Sequence, residues 1–314
     1  MRNMAESMPI EAVQDNGDAG PHPLEEFYRR LGHLAISRHG TLWCDAGRFS
    51  LVTIPSNERV AATKRQIQQL LIDTGKWVAL FCPTAGSGPI VSEYLLESRD
   101  YGLHSLQRQF RSHVRRHGAE FHCRELSWEE MANRAGVIHA DLAVRWKQAS
   151  PYGEAADRWD EVWASANATP GLFAYGCLHQ EELAGYVVAR QQRDNCHGIL
   201  LHRNSRFDAK RSGNVLLYNF SAAALRRPGI RSIHMGRSWF PPKPSLDRFK
   251  RHAGYEERRT PMAVVIHPRL EPILCSRSIQ SSLRLLSRLS RNRLDFEQDI
   301  HLFQAARRTE ITSG

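Results

Sequence analysis

The sequence predicts a mixed α/β (α+β) fold made of two halves in tandem, and three observations support this prediction. The chain of 314 residues is 41% hydrophobic, which suffices for sizeable cores. Stretches typical of strands alternate with stretches of helical spacing, and tight turns join strands early in each half. Both halves also follow one order of hairpin, strand, basic loop, helix and strand, which indicates a duplication of architecture without obvious sequence repetition.

The halves meet near residue 127, and this boundary gives four parts. Residues 1–21 are polar and acidic, and we expect a disordered tail there. Residues 22–126 form the first domain and residues 127–270 the second. Residues 271–314 are expected to form a basic amphipathic helical tail.

The elements of the first half begin with helical spacing over residues 24–37. A hairpin around Asp45 and Gly47 follows, and Ser56 is expected to cap a helix that Gly75 closes. The remaining elements are a buried strand (77–83), a second strand (91–98), a helix (103–118) and a returning strand (119–126).

The second half begins at a capping box, in which Ser127 caps a helix and Glu130 reaches back to it. This helix is expected to run to about Gln148, and a second helix carries Trp159 and Trp163. The elements that follow are three strands with tight turns (171–207), a helix (214–226), a strand (230–236), a helix from Ser245 to Gly254 and a last strand (260–268).

Charge is unevenly distributed along this chain, whose formal net charge is +10. Such a balance favours a polyanionic partner, although solubility alone also explains it. Arg108, Arg111 and Arg115 share one helix face, which suits RNA, a nucleotide-linked acceptor, an acidic glycan or plain solvation. Residues 277–293 hold five arginines and no acidic residue, which suits an anionic membrane surface or a helix docked on the body.

The six cysteines are scattered without a C-x-x-C pair, which argues against a zinc ribbon and a disulfide scaffold. We therefore expect reduced thiols and no metal. No apolar run approaches the ~20 residues of a membrane span. We expect a cytoplasmic protein, or one peripheral to the inner membrane through residues 277–293.

Lys250 occupies an unusual position on the helix that ends at Gly254. Leu246, Phe249 and Ala253 define the inward stripe of this helix, and Lys250 lies about 40° from its centre. A lysine on a buried flank is costly unless it meets an anion or extends its amine to solvent.

The second half resembles the GNAT acyltransferase superfamily, and within it the Fem-type branch with two GNAT-like domains in tandem. The resemblance is carried by "LLYNFSAAALRRPG" (216–229), by a following strand, and by Phe249-Lys250 with Gly254. In the first half it is carried by "SLQRQFRSHVRR" after Tyr101-Gly-Leu103. It extends over roughly residues 41–268 and implies a degenerate first domain, an acyltransferase second domain, and no metal.

The loop that binds the coenzyme A pyrophosphate in GNAT enzymes departs from its usual pattern, Q/R-x-x-G-x-G/A. The resemblance aligns residues 208–213 with this loop, where only Gly213 remains and Arg211 replaces the first glycine. Phosphate binding here would rest on charge and on the helix N-terminus. The predicted coenzyme A-binding residues are Lys210, Arg211, Ser212, Gly213 and Asn214.

Transfer of an acyl group to an amine needs a base, an oriented carbonyl and a stabilised oxyanion. We assign the base to His234, the oxyanion to Lys250 and protonation of the leaving group to Tyr255. The substrate-binding residues expected at the strand ends and nearby are Arg237, Ser238, His202, Arg203 and Phe249.

The resemblance therefore implies an N-acyltransferase that uses acyl-CoA and an amine acceptor, which is a small molecule, a peptide or a glycan. The first alternative is a Fem-like aminoacyltransferase with aminoacyl-tRNA as donor, which the altered pyrophosphate loop favours. The second alternative is a non-catalytic nucleic-acid-binding or scaffold protein on a decayed acyltransferase fold.

Overall fold

A computed structural model describes residues 21–46, 49–145, 158–238, 244–274, 276, 304–309 and 311. Its helices are α1 (Glu25–Arg30), α2 (Lys64–Thr74), α3 (Arg108–His117), α4 (Trp128–Arg134), α5 (Gly136–Arg145), α6 (Trp159–Ala168), α7 (Ser212–Arg226), α8 (Pro244–His252) and α9 (Glu271–Leu274). Its strands are β1 (Ala35–Arg38), β2 (Thr41–Asp45), β3 (Ser50–Ile54), β4 (Arg59–Val60), β5 (Val78–Pro83), β6 (Ile90–Leu96), β7 (His122–Leu126), β8 (Leu172–His179), β9 (Glu182–Gln192), β10 (Asn195–Arg203), β11 (Ser232–Arg237), β12 (Glu256–Pro261) and β13 (Ala263–Ile266).

The strands form two mixed sheets, each with helices packed against it. The first sheet has the order β1-β2-β3-β5-β13, with β4 paired to β5. The second has the order β12-β6-β11-β10-β9-β8-β7. These two mixed sheets confirm the predicted mixed α/β fold.

The two halves exchange strands across the boundary predicted near residue 127. Strand β6 belongs to the first half in sequence, yet it lies in the second sheet between β11 and β12. Strand β13 belongs to the second half, yet it pairs antiparallel with β5 in the first sheet. Only Met262, which is buried, separates β12 from β13. The chain thus passes directly from one sheet into the other, and this passage joins the two sheets closely.

The second sheet is covered on both faces. Helices α3 and α7 pack on one face through buried residues such as Phe110, Leu216 and Phe220. Helices α1, α4, α5 and α6 pack on the other face, where Trp163 and Tyr186 are fully buried. Burial of apolar side chains on both faces is the main stabilising term of such a layered fold.

Several local predictions are confirmed. The side chain of Ser127 accepts a hydrogen bond from the Glu130 backbone and completes the predicted capping box. Gly75 ends α2 in the left-handed conformation at φ 65°, as a helix-terminal glycine does. The β2–β3 hairpin and the β8–β9 turn also lie where they were expected.

Other local predictions are wrong. Helix α2 is capped by Thr63 rather than Ser56, because Thr63 and Gln66 form a reciprocal capping box of their own. Residues 24–37 form a short helix followed by strand β1, and the stretch predicted to be one strand over 260–268 divides between β12 and β13. The helix from Ser127 is interrupted between α4 and α5, and its predicted end near Gln148 lies outside the described residues.

Strands β10 and β11 run parallel but pair over only three residues, Asn195–His197 with Ser232–His234. Gly198 follows at once, and a Cβ atom there would lie 2.5 Å from the Met235 sulfur. A larger residue at this close approach would therefore displace the Met235 side chain. Beyond this point no pairing of the two strands occurs, and the gap lies next to the first sheet.

Candidate functional site

A cavity of about 360 Å³ lies between the two sheets at the place where β10 and β11 cease to pair. We call it the central cavity. Strands β9, β10 and β11 form one side of it, and β3 with the turn after it forms the other. Three residues predicted from the sequence line this cavity: His234, Arg237 and Ser238.

His234 faces the central cavity and stacks on a second histidine, His197, which the sequence analysis missed. The two rings lie 5.0 Å apart at an angle of 21°. Asn57, in the turn after β3, has its side-chain nitrogen 3.0 Å from Nδ1 of His234, and Ser232 Oγ lies 3.4 Å from its Nε2. Both ring nitrogens of His234 are thus next to protein groups.

Burial keeps both imidazoles neutral near pH 7. It lowers the pKa of His197 to about 4, with further lowering by the charges of His234 and Arg190. Burial also lowers the pKa of His234, with a contribution from Arg258. A neutral imidazole can accept a proton, which is the property that a general base requires.

Arg190 on β9 is the second residue of the central cavity that the sequence analysis missed. Its side chain is only 8% exposed, and its Nε and Nη1 atoms have no hydrogen-bond partner among the described residues. Burial lowers its pKa, while the nearby Glu58 carboxylate opposes this shift. An arginine at a strand position is the signal in the sequence, since strands seldom bury an unpaired charge.

Arg237 and Ser238 end β11 at the edge of the central cavity. One Arg237 nitrogen lies 3.4 Å from the Leu80 carbonyl oxygen, while Nη1 has no partner among the described residues. Burial lowers the pKa of Arg237. Ser238 is held against β6 by its backbone N–H, which donates to the Ser92 carbonyl at 2.6 Å. Arg237 thus places a second cation at the cavity.

A smaller pocket of about 200 Å³ lies at the N-terminus of α7, between α3 and α8. We call it the helix pocket. It brings together Arg211, Asn214 and Phe249, which the sequence assigned to coenzyme A and substrate. The described residues that line it include no aspartate or glutamate.

The residues of the helix pocket suit a phosphate group, although not through a glycine cradle. Arg211 adopts the left-handed conformation at φ 55° and no side chain caps α7 there, so the first amides of the helix lack a side-chain acceptor. A Cβ atom at Gly213 would lie 3.3 Å from Cδ of Arg203, so this glycine accommodates a side chain rather than a ligand. Charge and the helix N-terminus are therefore what this pocket offers an anion.

Lys210 and Asp208 of the same loop are engaged with neighbouring side chains. The Lys210 amine lies 2.8 Å from Glu120 and 2.8 Å from Nε2 of His179. Arg203 forms a salt bridge with Asp208. Ser212 is buried at the start of α7, and its hydroxyl has no partner among the described residues.

Lys250 is buried, as the helical wheel predicts, and is 6% exposed. Its amine lies 4.8 Å from the centre of the Tyr94 ring and 3.4 Å from the Arg237 carbonyl oxygen. Burial lowers its pKa from 10.5 to about 8, against the attraction of Asp247. Lys250 lines neither the central cavity nor the helix pocket.

Tyr255 and His202 lie apart from the central cavity. The Tyr255 hydroxyl is 2.7 Å from Ser221 Oγ in the core beneath α7, and burial raises its pKa well above the usual value. His202 packs against Tyr186 on the face of the second sheet that also carries Arg190, and burial lowers its pKa to about 4. The structure does not bring either residue to His234.

The arginines of α3 form an exposed basic face beside the helix pocket. Arg108, Arg115 and Arg116 are exposed, and Arg111 is half-buried. The second basic segment, residues 277–293, lies outside the described residues. In the described part of the chain, no helix is long and apolar enough to cross a membrane, and no group of three or more potential ligands is placed to hold a metal ion.

Comparison with known proteins connects this geometry to a fold. No protein family model and no curated protein matches the sequence. Among solved structures, FemX is similar with a TM-score of 0.51 and 10% identity, over 80% of this chain and 93% of FemX. A C-terminal DUF2156 domain from Agrobacterium fabrum is similar with a TM-score of 0.50 and 10% identity, over 78% of this chain and 88% of that one.

A third similar structure is a conserved protein of unknown function from Bacteroides thetaiotaomicron. Its TM-score is 0.50 at 11% identity, over 77% of this chain and 89% of that one. These likenesses concern the arrangement of the chain, since so few residues are shared. Together with the two mixed sheets, they show that this chain shares the fold of FemX, which agrees with the Fem-type fold predicted from the sequence.

Proposed function

We propose that this protein is an N-acyltransferase that moves an acyl group from acyl-CoA to an amine bound in the central cavity. The observation that carries the proposal is the position of the cavity, where the parallel strands β10 and β11 separate beside two neutral histidines. The fold shared with FemX supports it. The cavity volume of about 360 Å³ suits an acceptor of small-molecule size or the end of a peptide.

In the proposed reaction the acceptor nitrogen forms a bond with the acyl carbon, and the bond from that carbon to the coenzyme A sulfur breaks. The amine reacts in its neutral form, and once its nitrogen is bonded to the acyl carbon that nitrogen becomes strongly acidic. We assign acceptance of its proton to the His197 imidazole, which passes it to solvent, while the departing coenzyme A thiolate takes up a proton from solvent. No described side chain bonds to the His197 ring nitrogens, whereas both nitrogens of His234 are next to Asn57 and Ser232. His234 is therefore assigned to hold the His197 ring by stacking.

The donor is proposed to place its phosphates at the helix pocket. Arg211 and Arg248 supply cationic side chains there, and α7 supplies a helix N-terminus. The position of Lys250 beside the Arg237 carbonyl gives its amine no contact with the central cavity. We therefore assign no reacting atom to Lys250 or to the buried Tyr255.

Aminoacyl-tRNA is the second candidate donor. Two observations favour it: Arg211 stands where the coenzyme A loop has a glycine, and the basic face of α3 adjoins the helix pocket. Arginines on one helix face suit the phosphates of a nucleic acid.

Thermal unfolding with and without ligand distinguishes these donors. A ligand at 100 times its Kd stabilises the folded state by about 2.7 kcal/mol, so acetyl-CoA should raise the Tm by several degrees. Arg211→Ala should reduce this increase, whereas Arg116→Ala, on the exposed face of α3, should retain it. Stabilisation by tRNA with steep salt dependence, together with aminoacyl transfer, would identify the second donor. RNA binding without any acyl transfer would instead support the non-catalytic alternative.

A further inference from the structure

We infer that the acceptor is an amino acid or a short amino-acid-like molecule whose carboxylate binds Arg190 and whose amine faces His197. This inference rests on the proposed function and adds the chemical class of its acceptor. It starts from three side chains that stand in one row across three neighbouring strands.

The register of the second sheet places Arg190, His197 and His234 side by side. His197 on β10 pairs directly with Arg190 on β9 and with His234 on β11. Directly paired residues project to the same face of a sheet, with Cβ atoms about 5 Å apart. All three line the central cavity. A ligand that meets the guanidinium at one end therefore meets an imidazole within a few ångströms.

Arg190 has the features of a residue that binds an anion. The side chain is more than nine-tenths buried, and no described residue accepts a hydrogen bond from Nε or Nη1. The nearest acidic influence is Glu58, whose carboxylate accepts a hydrogen bond from the Thr41 hydroxyl at 2.6 Å. A buried guanidinium without hydrogen-bonded partners is costly, and a carboxylate offers the oxygen acceptors that match it.

The remaining surroundings of the central cavity also favour an anion. Arg237 contributes a second guanidinium whose Nη1 has no described partner. The described residues that line the cavity include no aspartate or glutamate. The two histidines are neutral and so do not compete with Arg190 for the carboxylate.

The distance between the cationic end and the imidazole end limits the length of the acceptor. One cross-strand spacing separates Arg190 from His197, which matches an amine a few bonds from its carboxylate. The opposite wall of the cavity offers apolar contacts from Tyr28, Val52 and Ile54, next to the polar side chains of the same strand and turn. An amino acid with an apolar side chain can bind Arg190 through its carboxylate, place its amine at His197 and pack its side chain against these apolar residues.

Three small molecules test this inference by calorimetric titration of the full chain without a donor. Leucine has the amine, the carboxylate and the isobutyl group; isoamylamine lacks only the carboxylate; and 4-methylpentanoate lacks only the amine. We expect leucine to bind at least about tenfold more tightly than isoamylamine. Equal binding of leucine and isoamylamine by the wild-type protein would overturn the inference without any variant.

Variants locate the effect at Arg190. In Arg190→Met, which keeps the apolar stem, the preference for leucine over isoamylamine should disappear, and circular dichroism should show a folded protein. Arg193→Met is the matched control, because Arg193 lies on the same β9–β10 hairpin but is exposed and does not line the central cavity. Retention of the preference in Arg190→Met would contradict the assignment.

The proposed function and this inference fail in different ways. Acetyl transfer to isoamylamine as fast as to leucine would leave the acyltransferase proposal standing and overturn the carboxylate site. Arg190-dependent binding of leucine without transfer from acetyl-CoA or aminoacyl-tRNA would keep the site and overturn the reaction.

Discussion

Replacement of Lys250 by methionine should stabilise the protein at neutral pH. The Lys250 amine is buried beside Tyr94. Burial lowers its pKa from 10.5 to about 8, although the negative charge of Asp247 acts to raise it. At about 1.4 kcal/mol per pKa unit, keeping this amine charged costs roughly 3 kcal/mol. The cation–π contact and the long hydrogen bond to the Arg237 carbonyl each stabilise the charged amine by about 1 kcal/mol. Methionine preserves the stem and removes the charge, so a net gain of about 1 kcal/mol is expected.

The pH dependence of this gain is the more specific test. Between about pH 8 and pH 10.5 the unfolded chain holds a proton on Lys250 that the folded protein has released, so the wild-type protein gains stability as the pH rises. The advantage of Lys250→Met should therefore decrease across that window. Urea unfolding of both proteins at neutral pH and near the upper end of the window measures it.

Arg248→Met is the control, because Arg248 is exposed on the same helix and its loss should change stability by less than about 0.5 kcal/mol. A loss of several kcal/mol in Lys250→Met at neutral pH, or a difference independent of pH, would refute the reasoning. The same variant tests the role predicted from the sequence: turnover reduced at least about tenfold would favour an oxyanion contact, and unchanged turnover would leave Lys250 structural.

Two further predictions concern stability. Acid should destabilise the protein as the pH falls from 6.5 towards 4, since the unfolded chain protonates histidines that burial keeps neutral in the folded state, by up to about 3 kcal/mol each. The histidines with a pKa of about 4 are His22, His197 and His202. Urea midpoints across this range measure how steeply the stability falls with pH. His197→Asn should make this fall less steep, and an unchanged slope would contradict the prediction. His104→Asn is the control, because His104 is exposed. Gly254→Ala should cost about 1–3 kcal/mol in urea unfolding, because Gly254 has φ +89° and a Cβ atom there would lie 2.9 Å from the Ser105 carbonyl oxygen. Gly118→Ala, with φ −56° and open space, should be neutral or slightly stabilising, and equal losses at both glycines would contradict the argument.

The parts of the fold that local chemistry determines were predictable from the sequence. The capping box at Ser127, the glycine that ends α2 and the buried flank of α8 at Lys250 each depend on a few neighbouring residues. The exchange of β6 and β13 depends instead on pairing between segments far apart in the chain, which no local pattern reports.

The candidate site shows the same division. The strand position of His234, with Ile233 facing the core and His234 facing the cavity, follows from simple alternation. The row of Arg190, His197 and His234 depends on the register of three strands, and a shift of one residue would send a side chain to the other face. For that reason Arg190 and His197 were missed.

The central claim is acyl transfer to an amine in the central cavity, and the most direct measurement is acceptor-dependent release of the coenzyme A thiol. Acetyl-CoA is supplied with primary amines that carry or lack a carboxylate, and the acylated products are identified by mass spectrometry. We predict N-acetylated product and a rate that falls about 10²-fold in His197→Asn but not in His104→Asn. Folded protein that releases no thiol and acylates none of these amines, with acetyl-CoA or with aminoacyl-tRNA as donor, would contradict the account.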